Sequence, residues 1–435
     1  MQPTYSLFSW EHSYFSGKVR AYLRYKSFYG DLGPGGYEDI LATPELLVRL
    51  LEPATGTRAV PQVMTSDGQW LQDSSEIIDT VEAAHRIMPV VPKRGRPKQR
   101  LASFLVELLA DEWMLVHAFW QRWYYSLETS EPNQLAFNAQ QWGAFISPKL
   151  NGPQRRRAAE EYFRTRMSLH EPDKATVGPI SGLLDLGVDE NTQPHWEASY
   201  HRIMGVLEQH FGRHDFVLGG RPSLGDFALL GPLYAHMFRD AVPGYEMRLR
   251  YPLIAEWVER TNGVNALNAR SYGQKLYGLD ENSALVGHVA CTDNGEWLPD
   301  DTIPETLLPL LAVFFDEMWP CLQASVKALR AFLDSTHHKA GGELPGKSFF
   351  STPGFEKLQR SRGPLTHAFH LGGARGTRMV VPYHVWMLQR IEASTDLGQR
   401  IDGYGIENLS ELIAGCRVRK DGGRIFEDAE VNGRK

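Results

Sequence analysis

The chain has 435 residues, of which 42% are hydrophobic and 23% charged, so it is long enough for two or three globular domains. Its formal net charge of −6 argues against a general binder of nucleic acid or anionic membranes, because such partners require a basic surface. The 3 cysteines are widely spaced and form no CxxC pair, which fits reduced thiols better than a disulfide framework. No secretory signal or uninterrupted apolar membrane span is visible, so we expect a cytoplasmic protein.

The first 88 residues alternate between strand-like and helix-like segments. "TYSLFSW" is typical of a strand, and apolar residues at helical spacing follow Ser13. Thr43-Pro44-Glu45 predicts a helix start, and "VPQVMTSDGQWLQD" predicts a hairpin that turns at Ser66-Asp67-Gly68. The resulting order is strand, helix, strand, helix, strand, strand, helix. It predicts a mixed sheet covered by helices over residues 1–88.

The remaining chain divides into a helical domain and an extension. Residues 89–96, "PVVPKRGR", are typical of a linker, and residues 97–279 are almost wholly helical in pattern. Residues 280–435 form an extension of unknown role that includes a long helix from Glu305 towards Leu333. We expect the polar terminal segment "RKDGGRIFEDAEVNGRK" to fray.

Ser13 stands where the first strand leads into the first helix. The amino end of a helix carries unpaired N–H groups and a partial positive charge, which stabilise an anion. A thiol with a pKa of about 8.5 can be shifted to neutrality or below in such surroundings, and a serine hydroxyl that donates to sulfur adds to the effect. The alternative is that Ser13 simply caps the helix, which serine does well.

Two further motifs complete a candidate site for a small thiol peptide. Pro61 precedes a strand, where proline often marks a cis bond, and a cis bond would turn the backbone polar groups of Val60 towards an extended peptide. Asp73 and Ser74 begin the next helix, whose N–H groups and serine hydroxyl can receive a carboxylate while Asp73 faces an ammonium group. Capping of the helix by Ser74 is the simpler alternative.

The order "SYFSGKVR … AVPQV … LQDSSEII" resembles the thioredoxin-like half of the glutathione transferase family, and "RPSLGDFALLGPLYAHM" resembles its helical half. The resemblance covers roughly residues 3 to 265. It implies a thioredoxin-like α/β domain followed by an all-helical domain, with a mainly helical extension. Ser223 and Asp226 form that family's helix-starting box, for which we expect a structural role.

By position, the resemblance implies that Ser13 is the serine that activates the sulfur of glutathione. Val60 would pair with the cysteinyl unit, Pro61 would be the cis proline, and Asp73 and Ser74 would hold the γ-glutamyl end. Ser9 stands where tyrosine-type members keep their tyrosine, and position 13 lacks the cysteine of cysteine-type members. Two departures are an aspartate instead of the commoner glutamate at position 73 and a tyrosine instead of proline at position 14.

Neighbouring polar residues receive simpler interpretations. We expect Ser16 to be structural and His12 to be a loop residue that lines the site. Lys18 and Arg20 fit a solvated helical face.

An aromatic face is the candidate acceptor pocket. Trp113, His117, Trp120 and Tyr124 recur on one side of a helix, and such a wall suits a flat apolar electrophile. Packing in the core is the alternative. His367 and His370 have no nearby ligand set in the sequence, so no metal is expected.

The sequence therefore predicts a glutathione transferase whose substrate is an aromatic or apolar electrophile, with glutathione as co-substrate and a role in detoxification. A narrower enzymatic variant is cleavage of an aryl ether or a carbon–halogen bond. A non-catalytic binding or scaffolding protein with the same fold is the alternative. The resemblance implies a homodimer, and the extension could block or replace the surface used for it.

Overall fold

The computed structural model describes residues 3–167, 169, 171, 179–263, 276–288, 295–345 and 365–434. The first domain contains a four-stranded sheet in the order β2-β1-β3-β4. Strand β2 runs parallel to β1, whereas β3 and β4 are antiparallel to their neighbours. The elements are β1 (Tyr5–Ser9), α1 (Tyr14–Phe28), β2 (Tyr37–Leu41), α2 (Pro44–Leu46), α3 (Glu52–Thr55), β3 (Gln62–Thr65), β4 (Trp70–Gln72) and α4 (Ser74–Ala84), with a π-helical turn at Leu47–Leu51 between α2 and α3.

This arrangement confirms the predicted thioredoxin-like α/β fold. The Thr43 side chain accepts a hydrogen bond from the N–H of Leu46 and so caps α2, as its sequence indicates. The β3–β4 hairpin turns at the predicted Ser66-Asp67-Gly68, where Gly68 has a φ of 84°. Glycine adopts that conformation without steric cost.

The second domain is all-helical, as predicted. Its helices pack around buried aromatic and aliphatic side chains in a core that is continuous with the first domain. Asp226 accepts hydrogen bonds from the N–H and hydroxyl of Ser223, and it also accepts from the N–H of Val217. The helices are α5 (Pro97–Leu108), α6 (Met114–Tyr124), α7 (Leu135–Ile146), α8 (Gly152–Tyr162), α9 (Pro179–Asp185), α10 (Gln193–Phe211), α11 (Leu224–Pro232), α12 (Ala241–Arg250) and α13 (Pro252–Asn262), with π-helical segments at Leu109–Trp113, Phe163–Met167 and Leu233–Phe238.

The extension combines helices with two-stranded hairpins. The hairpin of β5 (Leu276–Leu279) and β6 (Leu285–His288) spans the start of the extension at residue 280. The elements after it are α14 (Leu308–Val313), α15 (Trp319–Asp334), β7 (Thr366–Leu371), β8 (Ala374–Met379), α16 (Tyr383–Ser394), β9 (Arg400–Ile401), β10 (Tyr404–Gly405), α17 (Leu409–Ile413), β11 (Val418–Asp421) and β12 (Arg424–Glu427), with a 3₁₀ turn at Glu305–Leu307 and a π-helical segment at Phe314–Met318.

The continuous helix Glu305–Asp334 is, by length and composition, apolar enough to cross a membrane. Half of its most apolar window is buried inside the protein, and the core helix of a water-soluble protein meets the same criteria.

The prediction that the terminal segment frays was wrong. Strands β11 and β12 pair, Glu427 is fully buried, and the Gln389 side chain of α16 makes two hydrogen bonds to the backbone of Val418, of 2.8 and 2.9 Å. The polar composition of this segment suggested exposure, but every second residue of β12 is buried.

Candidate active site

Ser13 occupies the residue position that caps α1. Its backbone is extended, with φ −86° and ψ 133°, yet in the described chain its side chain makes no capping hydrogen bond to that helix. The Ser13 hydroxyl instead lies 3.5 Å from the carbonyl oxygen of Val60, at the long limit of a hydrogen bond. The hydroxyl of a half-buried serine therefore stands at a helix amino end without serving as its cap.

The sheet register brings the three sequence motifs to one end of the sheet, where β1 and β4 end and β3 begins. The Val60–Pro61 peptide bond is cis, as predicted. Gln62 in β3 pairs with Gln72 in β4, so the residues that flank this pair, Pro61 and Asp73, are neighbours at the end of the two strands. Gln62 also pairs with Phe8 near the end of β1, from which the chain turns to Ser13.

Asp73 has a backbone conformation that is rare for a residue other than glycine. Its φ is 75° and its ψ is 128°, and its carboxylate oxygen Oδ1 accepts a hydrogen bond of 2.9 Å from the N–H of Ser75. Such conformations cost about 1–3 kcal/mol and concentrate at functional sites. Ser74 follows as the first residue of α4 and is only 5% exposed.

Two residues of the extension contact this motif, and sequence reasoning missed both. The Tyr383 hydroxyl donates to Oδ2 of Asp73 at 2.7 Å. The Lys420 Nζ lies 3.7 Å from the same oxygen and donates to Oε2 of Glu76 at 2.5 Å. Neither residue belongs to a sequence motif, and both lie more than 300 positions from Asp73, so the sequence carried no signal for these contacts.

The prediction of a solvated face for Lys18 and Arg20 was wrong. Lys18 is fully buried, and its Nζ donates to Ser75, to Glu107 and to Asp111 at 3.2, 2.8 and 2.6 Å. Arg20 is 2% exposed and binds Ser9, Glu11 and Asp39. Lys18 precedes the buried Tyr22 by four residues on α1, a helical spacing that could have indicated its burial.

The two buried carboxyl groups that bind Lys18, those of Glu107 and Asp111, have pKa values shifted in opposite directions. Burial alone would raise the pKa of Glu107, but Arg390 and Lys18 bind it and lower that pKa to about 2. Burial raises the pKa of Asp111 to about 7, because the attraction of Lys18 offsets only part of the loss of solvation and Glu107 adds repulsion. Of the two carboxyl groups, that of Glu107 therefore holds its negative charge more strongly.

His12 lies in the turn between β1 and α1, as expected of a loop residue, and it is buried. It is 1% exposed, and its imidazole approaches Asn138 at 3.3 Å and Asp240 at 3.6 Å. Its backbone carbonyl accepts a hydrogen bond of 2.9 Å from Arg122. Ser16, which we expected to be structural, is fully buried, and its hydroxyl accepts a hydrogen bond of 3.3 Å from the N–H of Trp10.

The proposed acceptor face lies in the core. Trp113 and His117 are 1% and 2% exposed; the Trp113 ring packs on Trp196 at a centroid distance of 4.6 Å, and His117 approaches the hydroxyl of Ser199 at 3.2 Å. Trp120 is 6% exposed and stacks on Tyr124, with ring centroids 4.7 Å apart. The assignment of this face as an acceptor pocket stays a prediction, and these contacts favour the alternative of core packing.

Among the described residues, no group of three or more His, Cys, Asp or Glu side chains could hold a metal ion.

Two family models match the chain. Residues 7–91 match the N-terminal domain of glutathione S-transferase, and residues 161–260 match its C-terminal domain. The first range contains all the residues that converge at the edge of the sheet, from Ser13 to Ser74. These matches show that the two matched parts of the chain, residues 7–91 and 161–260, belong to the glutathione transferase family.

Solved structures of glutathione transferases are similar to part of the chain. A transferase from Methylobacterium radiotolerans in complex with glutathione sulfonate is 20% identical, with a TM-score of 0.35, and covers 62% of this chain and 97% of its own. The β-etherase LigF from Sphingobium sp. strain SYK-6 is 16% identical, with a TM-score of 0.38, and covers 62% and 96%. A rice transferase in complex with glutathione is 16% identical, with a TM-score of 0.29, and covers 61% and 91%. No curated protein matches the sequence.

Proposed function

We propose that the protein is a glutathione transferase of the serine type, in which Ser13 activates the thiol of bound glutathione. The observation that carries this proposal is the Ser13 hydroxyl, which stands at the amino end of α1 beside the Val60 carbonyl without capping the helix. A hydroxyl that a helix does not use can turn from a weak contact with a carbonyl to a bound sulfur.

Glutathione would lie along the edge that contains Val60, Pro61, Asp73 and Ser74. Its cysteinyl unit would pair with the backbone of Val60, and its γ-glutamyl carboxylate would meet the Ser74 hydroxyl and the amino end of α4. The sulfur would then lie near the amino end of α1, where the positive helix end and the Ser13 hydroxyl both favour the thiolate.

The reaction would be a nucleophilic substitution. The thiol first loses its proton to solvent, and the thiolate then forms a carbon–sulfur bond as the leaving group departs with its electron pair. Holding both reactants in contact supplies the remaining acceleration. The electrophile we propose is an apolar or aromatic molecule; an aryl ether or an organic halide is the narrower choice.

A binding or scaffolding protein without catalysis is the second candidate, and one observation favours it. Both carboxylate oxygens of Asp73 already accept hydrogen bonds from protein groups, Oδ1 from Ser75 and Oδ2 from Tyr383. A site whose ligand-facing carboxylate is engaged by its own chain can serve to anchor the extension.

Calorimetric titration with glutathione tests binding, with S-methylglutathione as the control for the thiol. Saturable binding that Ser74→Ala weakens is expected, and no binding at millimolar glutathione would overturn the proposal. Turnover is then measured with an activated aryl chloride. Ser13→Ala should lose most of the turnover while it keeps glutathione affinity, whereas Ser66→Ala, an exposed serine of the hairpin turn, should match the unaltered protein. Glutathione binding without any turnover would favour the second candidate.

We also propose a cytoplasmic location, a role in detoxification and, from the family resemblance, a homodimer. The extension contacts α4 and α5 through Arg390 and Arg100, so the part of the surface that it covers there would not be available to a dimer. Light scattering after gel filtration measures whether the mass is that of one chain or two.

A further inference from the structure

The C-terminal extension places a positive charge and a hydroxyl beside the Asp73-Ser74 motif. Lys420 is held at this point by its hydrogen bond to Glu76, by the Gln72 carbonyl at 3.5 Å and by the ring of Trp386, whose centroid is 4.6 Å from Nζ. Its side chain is only 8% exposed, and Asp73 retains 16% exposure. The lysine is therefore a fixed part of the structure and not a solvated side chain that happens to lie nearby.

The hairpin that carries Lys420 is itself anchored. Gln389 of α16 binds both backbone polar groups of Val418, two residues before Lys420 in β11. Tyr383 starts the same helix α16 and reaches Asp73. One helix of the extension thus positions both contacts.

The charges around the amino end of α4 fit an amino-acid group. Asp73 and Glu76 are two carboxylates, and Lys420 is one ammonium within 3.7 Å of each, so the motif has an excess of one negative charge. That excess suits the ammonium of a γ-glutamyl unit, while the helix end suits its carboxylate. Without Lys420, two uncompensated carboxylates would repel the ligand's carboxylate.

Tyr383 keeps Asp73 oriented. Burial raises the pKa of Tyr383 well above its ordinary value, and the neighbouring Asp73 carboxylate acts in the same direction, so the hydroxyl keeps its proton and donates. A carboxylate has about four lone-pair positions, so Asp73 can accept a further hydrogen bond from a ligand in addition to those from Ser75 and Tyr383.

We propose that Tyr383 and Lys420 are positioning residues of the thiol-peptide site, through which the extension recognises the γ-glutamyl end of the ligand. This inference rests on the proposed function. A groove of about 630 Å³ lies beside this motif and does not include Asp73 or Ser74; its lining includes Trp70, Gln72, Glu76, Trp386 and Lys420, so the extension and the first domain form this neighbouring surface together.

The test compares two ligands in calorimetric titrations of the full chain. Glutathione has the γ-glutamyl unit, and cysteinylglycine lacks it. Lys420→Met should weaken glutathione binding about tenfold, the order expected for the loss of one charge-assisted contact, and leave the affinity for cysteinylglycine unchanged. Lys420→Arg, which keeps the charge, should restore most of the affinity, and Tyr383→Phe should give a smaller loss. Lys339→Met, at an exposed lysine of the extension, is the matched control.

The outcomes separate this inference from the proposed function. If the unaltered protein binds glutathione and Lys420→Met binds it equally well, the inference fails and the proposed function stands. Equal weakening for both ligands would mean a general structural defect and would also overturn the inference. If Lys420→Met or Tyr383→Phe binds glutathione more tightly, the extension blocks the site instead of completing it. If neither the unaltered protein nor any variant binds, both proposals fall.

Discussion

The side chains of Lys18 and Glu107 are both completely buried, with Nζ and Oε1 2.8 Å apart. This ion pair joins α1 of the first domain to α5 of the second. Arg390 of the extension binds the other oxygen of Glu107 and also Asp79 of α4. One buried carboxylate therefore connects all three parts of the chain.

Replacement of Lys18 by methionine is expected to destabilise the protein strongly. The change leaves Glu107 with one cation instead of two and removes the ammonium that binds Asp111. Removal of one partner from a buried ion pair costs about 3–5 kcal/mol, because the remaining charge has lost its solvent. Urea denaturation followed by tryptophan fluorescence measures the loss. Lys327→Met, at an exposed lysine, should change the free energy of unfolding by less than about 0.5 kcal/mol, and an equally small effect at Lys18 would contradict the structure.

Ser13→Ala is expected to leave stability nearly unchanged. Serine caps typically contribute about 1 kcal/mol, but in the described chain the Ser13 side chain makes no capping hydrogen bond to α1. Thr43→Ala is the comparison, because the Thr43 hydroxyl does accept from the N–H of Leu46. Thermal unfolding of both variants should show a lower melting temperature for Thr43→Ala alone. A similar loss for Ser13→Ala would mean that this serine acts as a cap.

Local patterns were sufficient to predict the first domain. Turn residues, a proline at a helix start and alternating strands indicated its element order, and the motifs around Ser13, Pro61 and Asp73 lie at one sheet edge because the strand register places them there. Such signals work because each depends on a few adjacent residues.

Contacts between distant segments could not be predicted in the same way. Lys18 looked solvated because its partners Glu107 and Asp111 are about 90 positions away, and the role of Tyr383 depends on how α16 packs against α4. The spacing of Lys18 from Tyr22 could have indicated that Lys18 is buried, but it could not identify its partners, because a charge is buried only when it is paired and the pairing is a property of the fold.

The burial of His117 predicts a specific pH dependence of stability. Burial, and secondarily the positive charge of Arg378, lowers the pKa of His117 from 6.5 to about 3. The unfolded chain therefore takes up a proton near pH 6.5 and the folded protein does so only near pH 3. Stability contributed by this residue is present above pH 6.5 and is lost as the pH falls through that interval, at about 1.4 kcal/mol per pH unit.

His117→Gln should remove that part of the pH dependence. Glutamine cannot take up the proton but can still hydrogen-bond Ser199. Urea denaturation at several pH values between 6 and 4 gives the slope for each protein. His337→Gln, at an exposed histidine, is the control and should leave the slope as it is. An unchanged slope in His117→Gln would show that the imidazole titrates freely, as it would in an open acceptor pocket.

Asp73 allows stability and ligand binding to be separated. Asparagine tolerates a positive φ and caps helices about as well as aspartate, so Asp73→Asn should fold with nearly full stability. Asp73→Ala should lose about 2 kcal/mol, because alanine neither accepts from Ser75 nor suits a φ of 75°. In the proposed site Asp73→Asn also removes the negative charge that faces the ligand's ammonium, so glutathione affinity should fall about tenfold while the melting temperature hardly changes. Calorimetric titration beside thermal unfolding measures both. Unaltered affinity in Asp73→Asn would mean that the ammonium binds elsewhere, and Glu76 would then be the carboxylate to replace.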